Sequence, residues 1–71
     1  MEIQLIHNSS ALMGFTYEDG DLTIHFKDGR SVTYLNVPQK TIDELQEAKS
    51  AGLYFNLSIR DQFEIEDLRN G

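Results

Sequence analysis

The sequence contains no cysteine, no tryptophan and a single proline among its 71 residues. Without cysteine the chain can form neither a disulfide nor a thiolate zinc site, which fits a reducing cytoplasm. It also lacks an apolar run long enough to span a bilayer, and its N-terminus, Met1–His7, has no basic start or apolar core of a signal peptide. We therefore expect one cytoplasmic domain over residues 1–71 that has no metal, no cofactor and no membrane contact.

Basic residues are scarce as well. Six lysines and arginines stand against twelve aspartates and glutamates, so the formal net charge is −6 at pH 7. Nonspecific affinity for nucleic acid comes mostly from basic side chains that contact phosphates. A chain this acidic is better suited to a basic protein surface. Its acids concentrate in a turn, Glu18–Asp21, and in the tail, at Asp61, Glu64, Glu66 and Asp67.

Three segments in the first half alternate apolar and polar residues, which is typical of strands with one buried face. The apolar positions are Met13, Phe15 and Tyr17, then Leu22, Ile24 and Phe26, then Val32 and Tyr34. The opposite face of the predicted sheet is polar and meets water, and it carries Thr16, Thr23, His25, Ser31 and Thr33.

Two Asp-Gly pairs separate these segments and predict hairpins. A two-residue loop at Asp19–Gly20 pairs apolar residues only: Tyr17 with Leu22, Phe15 with Ile24, and Met13 with Phe26. A two-residue loop at Asp28–Gly29 would mix the two faces. A three-residue loop over 27–29, with Gly29 left-handed, instead sets Ile24 opposite Val32. The pattern predicts a three-stranded antiparallel meander with a tight first turn and a bulged second one.

Helical spacing begins after the third strand, at Ile42 and Leu45. Two starts are open for this helix. Pro38 can occupy its first turn, since the fixed φ of proline suits that position. Alternatively, Thr41 and Glu44 form a capping box, and the helix starts later.

A second, shorter helix is predicted after Ser50, which can serve as its N-cap. Phe55 and Ile59 lie four residues apart and share its buried face. Phe63 and Ile65 alternate with glutamates, so the tail could add a short strand. Two helices on the apolar face of the meander make a two-layer α+β fold.

The order of these motifs resembles the KTSC domain, a module found at the C-terminus of some lysyl-tRNA synthetases and as stand-alone bacterial and phage proteins. The resemblance runs from about Ser9 to Phe63. Its carriers are Ser9–Leu12, Tyr17–Glu18, Phe26, Gly29, Tyr34–Pro38, Ser50–Asn56 and Ile59–Arg60. It implies this fold and a suggested role in RNA binding. The family has a Tyr-x-Tyr motif before Val-Pro. This chain departs from that motif, because Val32 replaces the first tyrosine.

No nucleophile, base and stabilising group can be placed together from the sequence, so we expect a binding module rather than an enzyme. Our first hypothesis is a protein partner, for instance a host factor bound by a phage-type modulator. Tyr54 is central to this hypothesis, and two positions are open for it. Its side chain leans outward near Asn56 or Ser58, or it packs on the sheet edge with only its hydroxyl in contact with water. The predicted partner-binding residues are Tyr54, Asn56, Glu64, Glu66 and Asp67.

The alternative is an RNA or other nucleic-acid accessory module, as the resemblance implies. Lys27, Arg30 and Arg60 would form its positive contact spot if the fold brings them together. Sheet-based RNA binding normally stacks bases on exposed aromatic rings, and the predicted open face has none. A meander also has an exposed edge strand, so the chain is expected to be a monomer or a weak dimer.

Overall fold

The computed structural model describes residues 3–66, which form an antiparallel sheet followed by two helices. The sheet contains four strands in chain order. The elements are β1 Gln4–Leu5, β2 Leu12–Glu18, β3 Asp21–Phe26, β4 Ser31–Tyr34, α1 Gln39–Glu47 and α2 Ala51–Ser58. The α+β class is confirmed, and the sheet has one strand more than the predicted meander.

The β2–β3 hairpin has the predicted two-residue loop. Asp19 and Gly20 both have positive φ, of 54° and 85°, as a type I′ turn requires. Glu18 and Asp21 flank the loop as a pair, and the expected pairing of Tyr17 with Leu22 and of Phe15 with Ile24 follows.

The β3–β4 hairpin has the predicted three-residue loop. Phe26 N donates to Arg30 O at 2.8 Å, and Gly29 N donates to Phe26 O at 3.0 Å. Gly29 has φ 97°, the left-handed conformation that a side chain would strain. Ile24 consequently pairs with Val32, as expected.

The predicted pairing of Met13 with Phe26 is wrong. The register shifts between Leu12 and Gly14, and Leu12 pairs with Phe26. This β-bulge places one extra residue in β2. Leu12 is therefore the buried residue, 1% exposed, whereas Met13 is 39% exposed.

The strand missing from the prediction is β1, which pairs with β2 at the bulge. Gln4 pairs with Phe15 and Leu5 with Gly14. A Cβ at Gly14 would lie 2.5 Å from the carbonyl oxygen of Gln4. Only glycine allows this approach of the two backbones, so Gly14 is what admits β1 to the sheet.

Both helices lie on the apolar face of the sheet. The Phe55 ring of α2 meets the rings of Phe26 and Tyr34 edge to face, each at 5.8 Å between centroids. The buried core combines residues of the sheet, both helices and their connections: Leu12, Phe15, Leu22, Ile24, Tyr34, Val37, Ile42, Leu45, Ala51, Phe55 and Ile59. This is the predicted two-layer arrangement.

The two helices start differently. α1 has the earlier of its two predicted starts, with Pro38 as the N-cap residue and no side-chain cap. The capping box of Thr41 and Glu44 is therefore wrong. α2 begins as predicted, with Ser50 Oγ accepting a hydrogen bond from Leu53 N at 3.3 Å.

Within residues 3–66, the tail forms one bridge with β4. Ile65 pairs with Tyr34. Leu35 N donates to Glu64 O and Glu66 N donates to Thr33 O, each at 2.8 Å. The short strand suggested by the alternation around Phe63 is thus one residue pair long over the part of the tail that the structure describes.

Candidate functional site

Helix α2 presents two leucines to solvent, on the side turned away from the sheet. Leu53 and Leu57 lie one turn apart and are 58% and 68% exposed, whereas Phe55 between them is 5% exposed. They line a shallow depression between α2 and the end of α1, which we call the α2 groove: Ala48, Lys49, Ser50, Leu53, Tyr54, Leu57 and Ser58. Its walls are mostly apolar, which suits contact with another apolar surface.

Tyr54 lies half-buried in the α2 groove and joins the two helices. Its hydroxyl donates to Glu44 Oε1 at 2.7 Å. Burial, together with this hydrogen bond to a carboxylate, raises the pKa of Tyr54 to about 12. Tyr54 thus packs against α1 rather than the sheet edge. Ser58 shares the groove with it, whereas Asn56 is exposed outside the groove.

The acidic residues predicted to act with Tyr54 lie elsewhere. Glu64 and Glu66 flank the bridge beside β4. Glu66 borders a depression on the open sheet face together with Glu18, Asp19 and Asp21. The tail and the turn are therefore brought together, and the α2 groove is separate from both. Asp67 lies outside the described residues.

The open face of the sheet carries a row of hydroxyl groups around His25. Thr16 Oγ1 is 3.0 Å from His25 Nε2, and His25 Nδ1 is 3.0 Å from Ser31 Oγ. Thr23 and Thr33 bond each other at 2.8 Å. All seven phenylalanine and tyrosine rings belong to the core or pack against it. The prediction that the open face carries no aromatic ring is confirmed, and its β2–β4 part is polar as expected.

The basic residues of the alternative site are only partly brought together. Arg30 lies over the Phe26 ring at 5.2 Å and forms an ion pair with Asp28 at 2.9 Å. Lys27 and Arg30 line one depression beside Phe26. Arg60 follows α2, where its N–H donates to the carbonyl of Phe55 at 2.8 Å. Arg60 does not line the depression that Lys27 and Arg30 share.

Comparison with known proteins agrees with this architecture. The model of the KTSC domain matches residues 8–63, which is most of the chain. The chain belongs to the KTSC domain family. A crystal structure of a KTSC domain protein from Yersinia pestis is similar with a TM-score of 0.84 and 27% sequence identity, and it covers 92% of this chain and 93% of that one. The search of curated proteins found no match.

Residues that carry the KTSC resemblance hold the fold together. Ser9 Oγ accepts from the N–H groups of Ala11 and Leu12 at 3.2 and 3.0 Å. A Cβ at Gly52 would lie 3.0 Å from Ser9 Oγ, so the glycine lets α2 approach this turn. The Tyr17 hydroxyl donates to the carbonyl of Val37. These KTSC motifs therefore identify a scaffold rather than a ligand.

The residue before these motifs acts in the same way. Asn8 Nδ2 donates to the carbonyls of Ala48 and Lys49, each at 3.0 Å, and its Oδ1 accepts from Ala51 N at 3.3 Å. One side chain thus satisfies three backbone groups where α1 ends and α2 begins. It anchors the segment after β1 to the helices.

The exposed leucines were missed in the sequence analysis, although a signal for them was available. Two residues along a helix amount to about 200° of rotation. With Phe55 directed inward, Leu53 and Leu57 must then face outward. Within residues 3–66, no helix of this KTSC domain is long and apolar enough to cross a bilayer.

Proposed function

We propose that this KTSC domain is a cytoplasmic protein-binding module without catalytic activity and that its partner occupies the α2 groove. The observation that carries the proposal is the exposure of Leu53 and Leu57, at 58% and 68%. Removing one leucine side chain from water is worth about 1.5–3 kcal/mol. Two such residues, beside a tyrosine held in place by Glu44, make a compact set of anchors.

The net charge suggests the chemistry of the partner. At −6 the chain attracts basic surfaces over several ångströms. The partner is accordingly a protein with an apolar ridge, such as an amphipathic helix, flanked by lysine or arginine. Glu64 and Glu66 lie beside β4 rather than in the groove, so they contribute to encounter rather than to the contact itself.

A matched affinity capture tests this proposal. The tagged domain and its Leu53→Ser/Leu57→Ser variant are incubated with lysate of the source cells at moderate salt. We expect the native chain to retain a reproducible partner and the double variant to lose it. The control is Met13→Ser, which removes an exposed apolar residue from another surface. Equal recovery by the native chain and the double variant would count against the groove, and recovery of nothing would count against the function.

The surroundings of His25 support the absence of catalysis in this proposal. Both of its ring nitrogens bond hydroxyl groups, those of Thr16 and Ser31. A histidine base that activates a nucleophile is normally oriented by a carboxylate or amide on its second nitrogen. Turnover of any substrate that His25→Ala abolishes would overturn this part of the proposal.

A second candidate, binding of single-stranded RNA, is favoured by one observation. Lys27 and Arg30 adjoin the half-buried Phe26 ring, over which the guanidinium of Arg30 lies. The ion pair with Asp28 reduces the charge that a phosphate would meet. RNA titration at low salt should shift the amide resonances of Lys27, Arg30 and Arg60 if this candidate holds. A spectrum without such shifts eliminates it.

A further inference from the structure

The two edges of the sheet differ in how they are protected. Residues 64–66 cover the outer edge of β4 with two backbone hydrogen bonds of 2.8 Å. β1 forms the opposite edge, and within residues 3–66 no strand lies beyond it. Proteins usually guard such an edge with charges, proline or a covering segment, because its backbone groups can pair with another strand. Ile3–Ile6 contains neither a charge nor a proline.

The backbone of β1 is oriented for such pairing. Ile6 N donates to Met13 O of β2 at 2.9 Å. Successive residues of an antiparallel strand direct their N–H and C=O groups alternately to one side and the other. Ile3 and Leu5 consequently direct theirs away from β2, toward the open edge.

The side chains of β1 match one another on both faces of the sheet. Leu5 pairs with Gly14 and therefore shares the open face with it. Ile3 and Leu5 are 42% and 61% exposed. On the helical face, Gln4 borders a cavity of about 300 Å³ that Phe15 and Leu45 help to line. One face of the edge is thus apolar, and the other presents a neutral amide.

We propose that β1 is a self-association edge and that its occupant is the β1 strand of a second copy of this chain. In an antiparallel pair centred on Gln4, Ile3 of one copy lies opposite Leu5 of the other. Each such pair exchanges two backbone hydrogen bonds and sets apolar side chains against each other. The two Gln4 side chains then face each other on the helical side, where their amides can bond. The edge is complementary to itself over residues 3–5.

Two copies of this chain carry like charges, and pairing through β1 brings them together with less charge repulsion than other modes of association. The acidic groups Glu18, Asp19, Asp21 and Glu66 line a depression at the β2–β3 turn and the covered β4 edge. Pairing through β1 keeps the covered β4 edges of the two copies at opposite ends of the joined sheet. The contact is only a few residues long, well below the area of a stable interface, so we expect association at high concentration and dissociation on dilution.

Sedimentation over a wide concentration range tests the proposal, with three variants of the full chain. Leu5→Pro removes an N–H that points away from β2, so it blocks the edge without breaking the β1–β2 pairing. Leu5→Glu places like charges on the edge and serves if the proline variant misfolds. Leu57→Ser is the control, because it changes the α2 groove and leaves β1 intact.

The native chain and Leu57→Ser should show an average mass that rises toward twice the monomer, whereas both Leu5 variants should stay monomeric. The Ile3 and Leu5 amide resonances of the native chain should shift with concentration. A native chain that remains monomeric, or equal association in the Leu5 variants, overturns the proposal. Association lost only in Leu57→Ser assigns self-contact to the α2 groove and overturns it too. The proposal is also overturned if the native chain stays monomeric and its β1 resonances shift only when a foreign peptide is added.

Discussion

Helices α1 and α2 lie on the same face of the same sheet, yet they have opposite surfaces. α1 buries Ile42 and Leu45 and turns only polar and charged residues outward, among them Lys40, Asp43, Gln46 and Glu47. α2 buries Ala51 and Phe55 and still exposes Leu53 and Leu57. Helices that are apolar all round are normally enclosed on all sides. The difference is that α1 exposes only polar side chains, whereas α2 exposes two leucines, and it is the basis of the proposal that a partner covers α2.

The largest expected change in the free energy of unfolding concerns a buried leucine of α1 compared with an exposed leucine of α2. Leu45→Ala in α1 should lower the free energy of unfolding by about 2–5 kcal/mol, because Leu45 is 2% exposed and its removal leaves a cavity. Leu57→Ala in α2 should change it by no more than about 0.5 kcal/mol. Urea denaturation of both variants measures the contrast. Similar losses would mean that Leu57 supports the fold, and the contrast between the helices would fail.

A smaller effect is expected at the helix starts. Ser50→Ala should cost about 1 kcal/mol, since Ser50 Oγ caps the N–H of Leu53. The matched change in α1, Thr41→Ala, removes no capping bond and should be neutral or slightly stabilising. Thermal unfolding of the two variants compares them. A loss in Thr41→Ala as large as that in Ser50→Ala would show that α1 depends on a side-chain cap after all.

The smallest expected change in stability concerns the hydrogen bond between Tyr54 and Glu44, which joins the two helices. Tyr54→Phe removes the hydrogen bond to Glu44 and should cost about 1 kcal/mol or less at neutral pH. The folded chain holds the pKa of Tyr54 at about 12, above the ordinary value of 10.0. The stability from this group is therefore complete below pH 10 and is lost as the pH rises through 12.

Stability measured against pH in the native chain and in Tyr54→Phe isolates this contribution, because the other tyrosines titrate in both. The difference between the two chains should shrink over that interval. Ultraviolet titration should also show one late-ionising tyrosine fewer in the variant. A constant difference from neutral pH to beyond pH 12 would mean that the hydroxyl does not join the helices.

Much of the scaffold could be predicted because its signals are local. Asp19–Gly20 and Gly29 occupy left-handed positions that depend on their own backbone, and apolar parity sets the strands they connect. Ser50 caps α2 with an atom of its own side chain, three residues from its donor. Less of the candidate site could be predicted from the sequence. Tyr54 was singled out, but its carboxylate partner Glu44 lies in another helix, ten residues earlier.

The errors arose where distant segments meet. Met13 continues a perfect alternation, yet the bulge beside Gly14 turns it outward and buries Leu12 instead. The signal for that bulge was Gly14, because an isolated glycine in a strand pattern suggests a bulge or the close approach of another backbone, here that of β1. The predicted surface of Tyr54 with Glu64 and Glu66 stays a prediction, and the folded chain gives its members different partners: the tail bridges β4, whereas Tyr54 bonds Glu44 of α1.

The sequence by itself determined the α+β class, the two hairpins, the inward aromatic rings and the acidic character. These follow from residue periodicity, turn conformation and charge, which act over a few positions or over the whole composition. Only the tertiary structure decided that, among residues 3–66, one sheet edge is covered and the other is not, and that α2 keeps two leucines in solvent. Exposure depends on which segments cover a residue, and that is a property of the assembled chain.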